Sequence, residues 1–175
     1  MNSMTALQTA RLNLRPFSED DLDGISALMA NADFMRFSPG VFSREQTAVF
    51  LEKVRGRDRE GLPSQFALIF RPDQKLIGYC GFFLQTVDDV EELEIAYRLD
   101  PSYWGRGIAT EGARAVRDHA FDDLRLSHLI SLIHPENTAS RRVAEKNGML
   151  PEKETIFRGF PAIVFGISRE QRSGH

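Results

Sequence analysis

Two short stretches carry residues that could do chemistry. The first reads Tyr103-Trp104-Gly105-Arg106-Gly107-Ile108-Ala109-Thr110-Glu111-Gly112. Glycine weakens helices and serves where a backbone bends sharply or must come close to something. Here two glycines flank an arginine at the entry to a helical run. First-turn N–H groups of a helix lack internal partners and lie at its positive end, where a phosphate fits. Arg106 adds positive charge. A tight strand-to-helix turn with no ligand would use the same residues. The Walker loop is excluded because no Gly-Lys-Ser/Thr ending follows, and the dinucleotide fingerprint because Thr110 stands where its third glycine belongs.

The second stretch holds Glu91, Glu92 and Glu94. If residues 92–99 form a strand, Glu92, Glu94 and Ala96 share one face, and Ile95 and Tyr97 the other. A carboxylate set between Leu93 and Ile95, beside a cleft, could accept a proton, directly or through water. A solvated acid at a strand end is the alternative for Glu92. Elsewhere, His134 precedes Pro135-Glu136-Asn137 and could line the same cleft. His119 and His128 have no metal-ligand spacing, and no metal is expected. Cys80 lies in an apolar run without a neighbouring base and reads as a buried small residue. Phe34, Phe37 and Phe42 suit either packing or an acceptor pocket.

Around these stretches the chain gives an ordered series of elements. Arg11–Arg15 alternates as a strand, and Ser18 opens a helix with Leu22, Ile25, Leu28 and Met29 at helical spacing. A loop spans 33–42. Ser43 and Gln46 form a capping box for a second helix ending near Glu60. Strands follow at 65–70, 75–85 and 92–99, then a helix at 108–121 and a strand at 126–133. A short helix covers 137–147, with Gly148 as its C-terminal cap, and strands at 152–157 and 162–168 complete the series. The crossover through the 108–121 helix should return its strand parallel to the 92–99 strand. This order predicts an α/β (α+β) fold: a mixed, mostly antiparallel central sheet flanked by helices on both faces.

The 175 residues are 42% apolar and 27% charged, enough for one domain over 1–175 with its core at about 9–168. A net charge of -3 gives no footing for nucleic acid. No apolar run approaches the ~20 residues that span a bilayer, and the first residues lack a secretory pattern, so a cytoplasmic chain with no membrane partner is expected.

Asp100-Pro101-Ser102-Tyr103-Trp104-Gly105-Arg106-Gly107, with Ala109-Thr110-Glu111, resembles the signature loop of the GNAT-type acyl-CoA N-acyltransferase superfamily. It is most similar to the branch containing the ribosomal-protein N-terminal acetyltransferases. The general pattern is Gln/Arg-x-x-Gly-x-Gly/Ala, and Trp104 departs from Gln/Arg as that branch does. Asn137-Thr138-Ala139-Ser140, leading to Glu145-Lys146-Asn147-Gly148-Met149, resembles the family's later motif, with Met149 where Phe is usual.

The resemblance implies a GNAT-like fold and acetyl transfer from acetyl-CoA, as cosubstrate, to a primary amine. The acceptor would be a protein N-terminus or a small molecule, and the state monomer or homodimer. It implies that Glu94 is the general base. The tyrosine that many members use to protonate the leaving thiolate falls on Ala144, so Ser140 is the implied substitute. Cofactor contacts would come from Tyr97, Arg98, Leu99, Trp104, Gly105, Arg106, Gly107, Ile108, Ala109, Thr110, Asn137 and Ser140, with a bulge near residues 97–99 splaying two strands. The missing tyrosine keeps open a second reading, a catalytically impaired CoA-binding or sensing module.

Overall fold

The computed structural model describes residues 4–173. Eight strands form one sheet: β1 (Leu7–Gln8), β2 (Leu12–Pro16), β3 (Gln65–Phe70), β4 (Lys75–Val87), β5 (Val90–Leu99), β6 (His128–Ile133), β7 (Leu150–Phe157) and β8 (Phe160–Ser168). The helices are α1 (Leu22–Met29), α2 (Arg44–Arg59), α3 (Ile108–Asp122), α4 (Thr138–Lys146) and α5 (Arg169–Ser173). Strand order is β1-β2-β3-β4-β5-β6-β8-β7, antiparallel except where β5 meets β6. The expected mixed sheet with one parallel crossover is therefore the observed fold.

Burial explains why these segments take these forms. In β3 the run Phe66-Ala67-Leu68-Ile69-Phe70 is apolar throughout because both sheet faces are covered. Phe66, Leu68 and Phe70 enter the core beneath α3 and α4. Ala67 and Ile69 enter a second core beneath α1 and α2, with Ile25, Met29, Leu51 and Val54. The helices thus lie on both faces. Cys80 is 1% exposed, and burial pushes its thiol pKa up. Gly112 brings α3 down onto it: a Cβ there would sit 3.7 Å from the Cys80 Sγ.

Turn chemistry fixes the register. Asp88 and Asp89 both have positive φ (48° and 67°), a two-residue hairpin turn joining β4 to β5. Arg158 and Gly159 (50° and 82°) do the same between β7 and β8. Gly78 is required by close approach, since a Cβ there would stand 1.9 Å from the Arg98 carbonyl oxygen.

Several expected boundaries move. Ser18 opens a single 3₁₀ turn, Glu19–Asp21, and Asp21 stands at the N-cap of α1. β6 begins at His128, two residues late. β7 and β8 each begin two residues early: the Arg158-Gly159 turn lets the hairpin pair to its tip at Phe157 and Phe160, and at its open end pairing reaches Leu150 with Gly166. β1 and α5 are short elements that no periodic pattern announced.

Candidate active site

The sheet parts where β5 meets β6. Glu94 pairs with Ile130, and no other pair joins the two strands. Side chains take over the adjoining ladder positions. The Ser131 hydroxyl donates to the Ile95 carbonyl (2.8 Å), and the Leu132 N–H donates to Glu94 Oε2 (3.1 Å). The expected bulge near residues 97–99 is corrected by this arrangement. The β4–β5 register runs unbroken from Gly78↔Leu99 to Val87↔Val90, and the splay lies wholly on the β6 side. A cleft of about 200 Å³ opens there, bordered by Glu94, Tyr97, Leu132, His134, Asn137 and Ser140.

Glu94 is 7% exposed. Burial raises its pKa to about 6, against the opposing pull of hydrogen bonds from Gln85 Nε2 (2.9 Å, to Oε1) and the Leu132 N–H. It therefore carries its charge at neutral pH yet remains a competent base. Glu92 lies outside the cleft lining, its Oε2 3.3 Å from His128 Nδ1.

Beyond the C-terminal end of β5, past the Pro101–Tyr103 turn, α3 begins. Gly107 is its N-cap at φ 76°, and Gly105 has φ 72°, both left-handed. This conformation alone calls for glycine. A Cβ on Gly105 would meet nothing within 4 Å, so the space in front of the loop is open. Among the described residues, no protein acceptor engages the backbone N–H groups of residues 105–110; the first helical bond is Glu111 N–H to the Gly107 carbonyl. Free amides at a helix start are the donor set that a diphosphate needs, and the residues fit that group.

The side chains around this loop are occupied in shaping it. The Arg106 guanidinium lies over the rings of Phe70 (5.0 Å) and Tyr103 (5.3 Å). The Trp104 indole donates to the Leu99 carbonyl (3.0 Å). Ile108 is buried, so only its amide faces the loop. From 95 residues away, Arg11 donates to the Arg106 carbonyl (2.8 Å) and pairs with Glu111 (2.8 Å). Nothing in the local sequence signals that brace.

Strand alternation sorts the remaining expected contacts. Asp100 N–H donates to Ile77 of β4 (2.7 Å), while the Ile95 carbonyl faces β6. The N–H groups of Tyr97 and Leu99 therefore point to the β6-side edge, where Tyr97 lines the cleft. Arg98 does not follow them. Its amide faces β4, and its guanidinium donates to the carbonyls of Phe34 (3.0 Å) and Arg36 (2.8 Å), tying down the 33–42 loop. Asn137 caps α4 by accepting from Ser140 N–H (3.2 Å). Ser140 lines the cleft, and its carbonyl faces the Tyr97 hydroxyl at 3.4 Å. Ala144 is 3% exposed on the buried side of α4. Of the three phenylalanines considered, Phe34 is core and Phe42 packs against it. Phe37 alone lines the cleft, stacked on His134 at 5.2 Å.

A sheet parted around a buried carboxylate, with unpartnered helix-start amides beside it, defines a class of acyl-group transferase. The profile described as "Acetyltransferase (GNAT) domain" matches residues 11–150. The chain belongs to the GNAT acetyltransferase family. It is 33% identical over 153 residues to "Uncharacterized protein YkkB" of Bacillus subtilis, covering 85% of this chain and 87% of that one. It is 31% identical to "Uncharacterized N-acetyltransferase YnaD" of the same organism, covering 83% of each. Among solved structures, a GNAT-family acetyltransferase from Bacillus anthracis superposes with TM-score 0.81 at 27% identity, covering 95% of this chain and 99% of that one. The ribosomal L7/L12 acetyltransferase RimL, solved in complex with coenzyme A, shares the fold at TM-score 0.78 and 18% identity, covering 94% and 98%.

Proposed function

We propose that this protein transfers the acetyl group of acetyl-CoA directly to a primary amine, with Glu94 as general base. The observation that carries the reading is the buried Glu94 carboxylate in the cleft at the parting of β5 and β6, carried on the strand that leads to the unpartnered amides at the start of α3. Acetyl-CoA supplies an activated carbonyl and a thiol leaving group. The amides of residues 105–110 hold the diphosphate, with Thr110 and Ala109 completing the first turn. The β6-side N–H groups of Tyr97 and Leu99 line the path of the rest of the cosubstrate and can polarise its carbonyl.

The reaction forms an N–C bond and breaks a C–S bond. Glu94 takes the proton that the amine gives up. The thiolate needs a donor, and two groups border the cleft at that side. Ser140 carries a hydroxyl with no protein partner among the described residues, and we assign it the role. The Tyr97 phenol, kept protonated by burial, stands beside it. The buried Ala144, in the place of a tyrosine, supports the second reading of a CoA-binding module without turnover.

The test pairs calorimetry with a thiol-release assay on an amine panel. Acetyl-CoA binding with thiol release that Glu94→Gln abolishes supports transfer. Binding without release on any amine favours the sensing module. No binding of acetyl-CoA at millimolar concentration removes both.

A further inference from the structure

The acceptor end of the cleft is short of acid. Glu94 is the one carboxylate on the cleft lining among the described residues. Arginines surround it. The Arg98 guanidinium is held on two backbone carbonyls and has no carboxylate oxygen within 4.0 Å among the described residues. Arg158, at the tip of the β7–β8 hairpin, has none either. Its Nη2 donates to Gln85 Oε1 at 3.3 Å, and Gln85 donates in turn to Glu94. Arg36, on the tethered loop, faces only Asp33 at 3.4 Å, both side chains about 60% exposed. Both Arg98 and Arg158 pull on the Glu94 charge.

Two uncompensated guanidiniums thus flank the single carboxylate that the reaction must leave free for a proton. A polyamine brings extra cations into this field and meets repulsion. An amine that carries its own carboxylate completes it. Arg158 is placed to receive that group. Its present partners are a neutral amide at long range and the Phe157 ring, 5.0 Å from the guanidinium carbon, and a carboxylate is the stronger partner for a guanidinium fork. Arg98, with Nη1 already shared between two carbonyls, supplies field and loop position.

Resting on the acetyl-transfer reading above, we propose that the acceptor is a primary amine bearing a carboxylate within a few ångströms of its nitrogen, recognised by Arg158. A free amino acid and an acidic N-terminal peptide both present this chemistry. The rims of Phe37, Tyr79 and Phe83 add apolar surface for the remainder of the molecule.

The experiment measures kcat/KM for thiol release by the full chain with acetyl-CoA and matched acceptors: phenylalanine against phenylalaninamide, the C-terminally amidated dipeptide Ser-Glu against the equally amidated Ser-Gln, and spermidine. The carboxylated member of the preferred pair should lead its amide by roughly 10-fold or more, as a charge-assisted bond allows. Spermidine should be the poorest. Which pair shows the preference distinguishes the free amino acid from the peptide. Arg158→Gln should raise KM for the carboxylated acceptor alone and erase the preference, leaving KM for acetyl-CoA unmoved; Arg158→Lys should restore part of it. Amides or spermidine used as well as the carboxylates, or a preference that survives Arg158→Gln, overturns this inference while leaving acetyl transfer intact. Where no acceptor turns over, calorimetry on the CoA-saturated chain decides, and equal or absent binding of the carboxylated members counts against it. A chain that binds no acetyl-CoA fails the transfer reading itself.

Discussion

The proton affinity of Glu94 links its chemistry to the stability of the fold. Its folded pKa, about 6, lies above the ordinary value of 4.5, so the folded chain holds the proton more tightly than the unfolded one. The stabilisation from this group is complete below pH 4.5 and is lost as pH rises through about 6. At pH 8 the buried charge costs about 2 kcal/mol relative to acid conditions. Glu94→Gln should therefore gain stability over the parent between pH 5 and 8, seen as a Tm difference that vanishes near pH 4. The same variant should lose roughly 10²- to 10⁴-fold in kcat, the range for removal of a general base. In the parent, kcat/KM should climb through an acid limb near pH 6. A variant with unchanged stability and unchanged rate would show that the carboxylate is a bystander. The burial of Glu94 beside a cleft was legible in the sequence because it sits between apolar neighbours; Gln85 and Arg158, which adjust it, carry no local signal and join only through strand pairing.

Among the elements, the start of α3 combines two demands on one residue. Gly107 must take φ 76° to turn the chain into the helix, and its neighbours must leave their N–H groups exposed. Gly107→Ala should cost about 1–2 kcal/mol from the left-handed backbone alone. Part of that would be relieved by a shifted helix start that hides amides, so the Kd for coenzyme A, measured by calorimetry, should rise together with the loss in Tm. The loop could be read from its glycines, but their physical reason was only half visible. Open space before Gly105 agrees with ligand approach, whereas positive φ at both positions is sufficient cause without one. A splay of two strands was expected, but as a bulge near residues 97–99 and not as the loss of pairing between β5 and β6. A bulge leaves no clear mark in composition, and what stops the ladder here is the Ser131 hydroxyl and the Glu94 carboxylate taking ladder positions. That the Arg98 amide faces β4 was hidden for a related reason: sequence gives strand faces, whereas the direction of each N–H depends on which neighbour lies on which edge.

Across the whole molecule, the order of strands and helices followed from periodicity and turn residues, including the single parallel crossover. Edge features did not, since a two-residue strand such as β1 has no period to detect. Long-range ties were equally silent. His128 on β6 sits between Glu92 of β5 (3.3 Å) and Glu152 of β7 (2.8 Å), joining three strands across the sheet. Burial lowers its pKa, but the two carboxylates outweigh this and the net shift is upward. Its contribution to stability is full below pH 6.5 and fades as pH rises through the raised value. His128→Gln should accordingly lower Tm below pH 6.5 and approach the parent in alkaline buffer, by thermal scans across pH.

The lone thiol of the chain, on Cys80, lies sealed between β4 and α3, with its proton held by burial. Thiolate is the reactive form, and no reagent reaches this one while α3 stays seated. Iodoacetamide should therefore modify only molecules in which that helix has lifted, turning alkylation rate into a clock for opening beside the amide-rich loop. Saturating coenzyme A, by gripping the seated form alone, should slow the clock by the factor 1 + [L]/Kd.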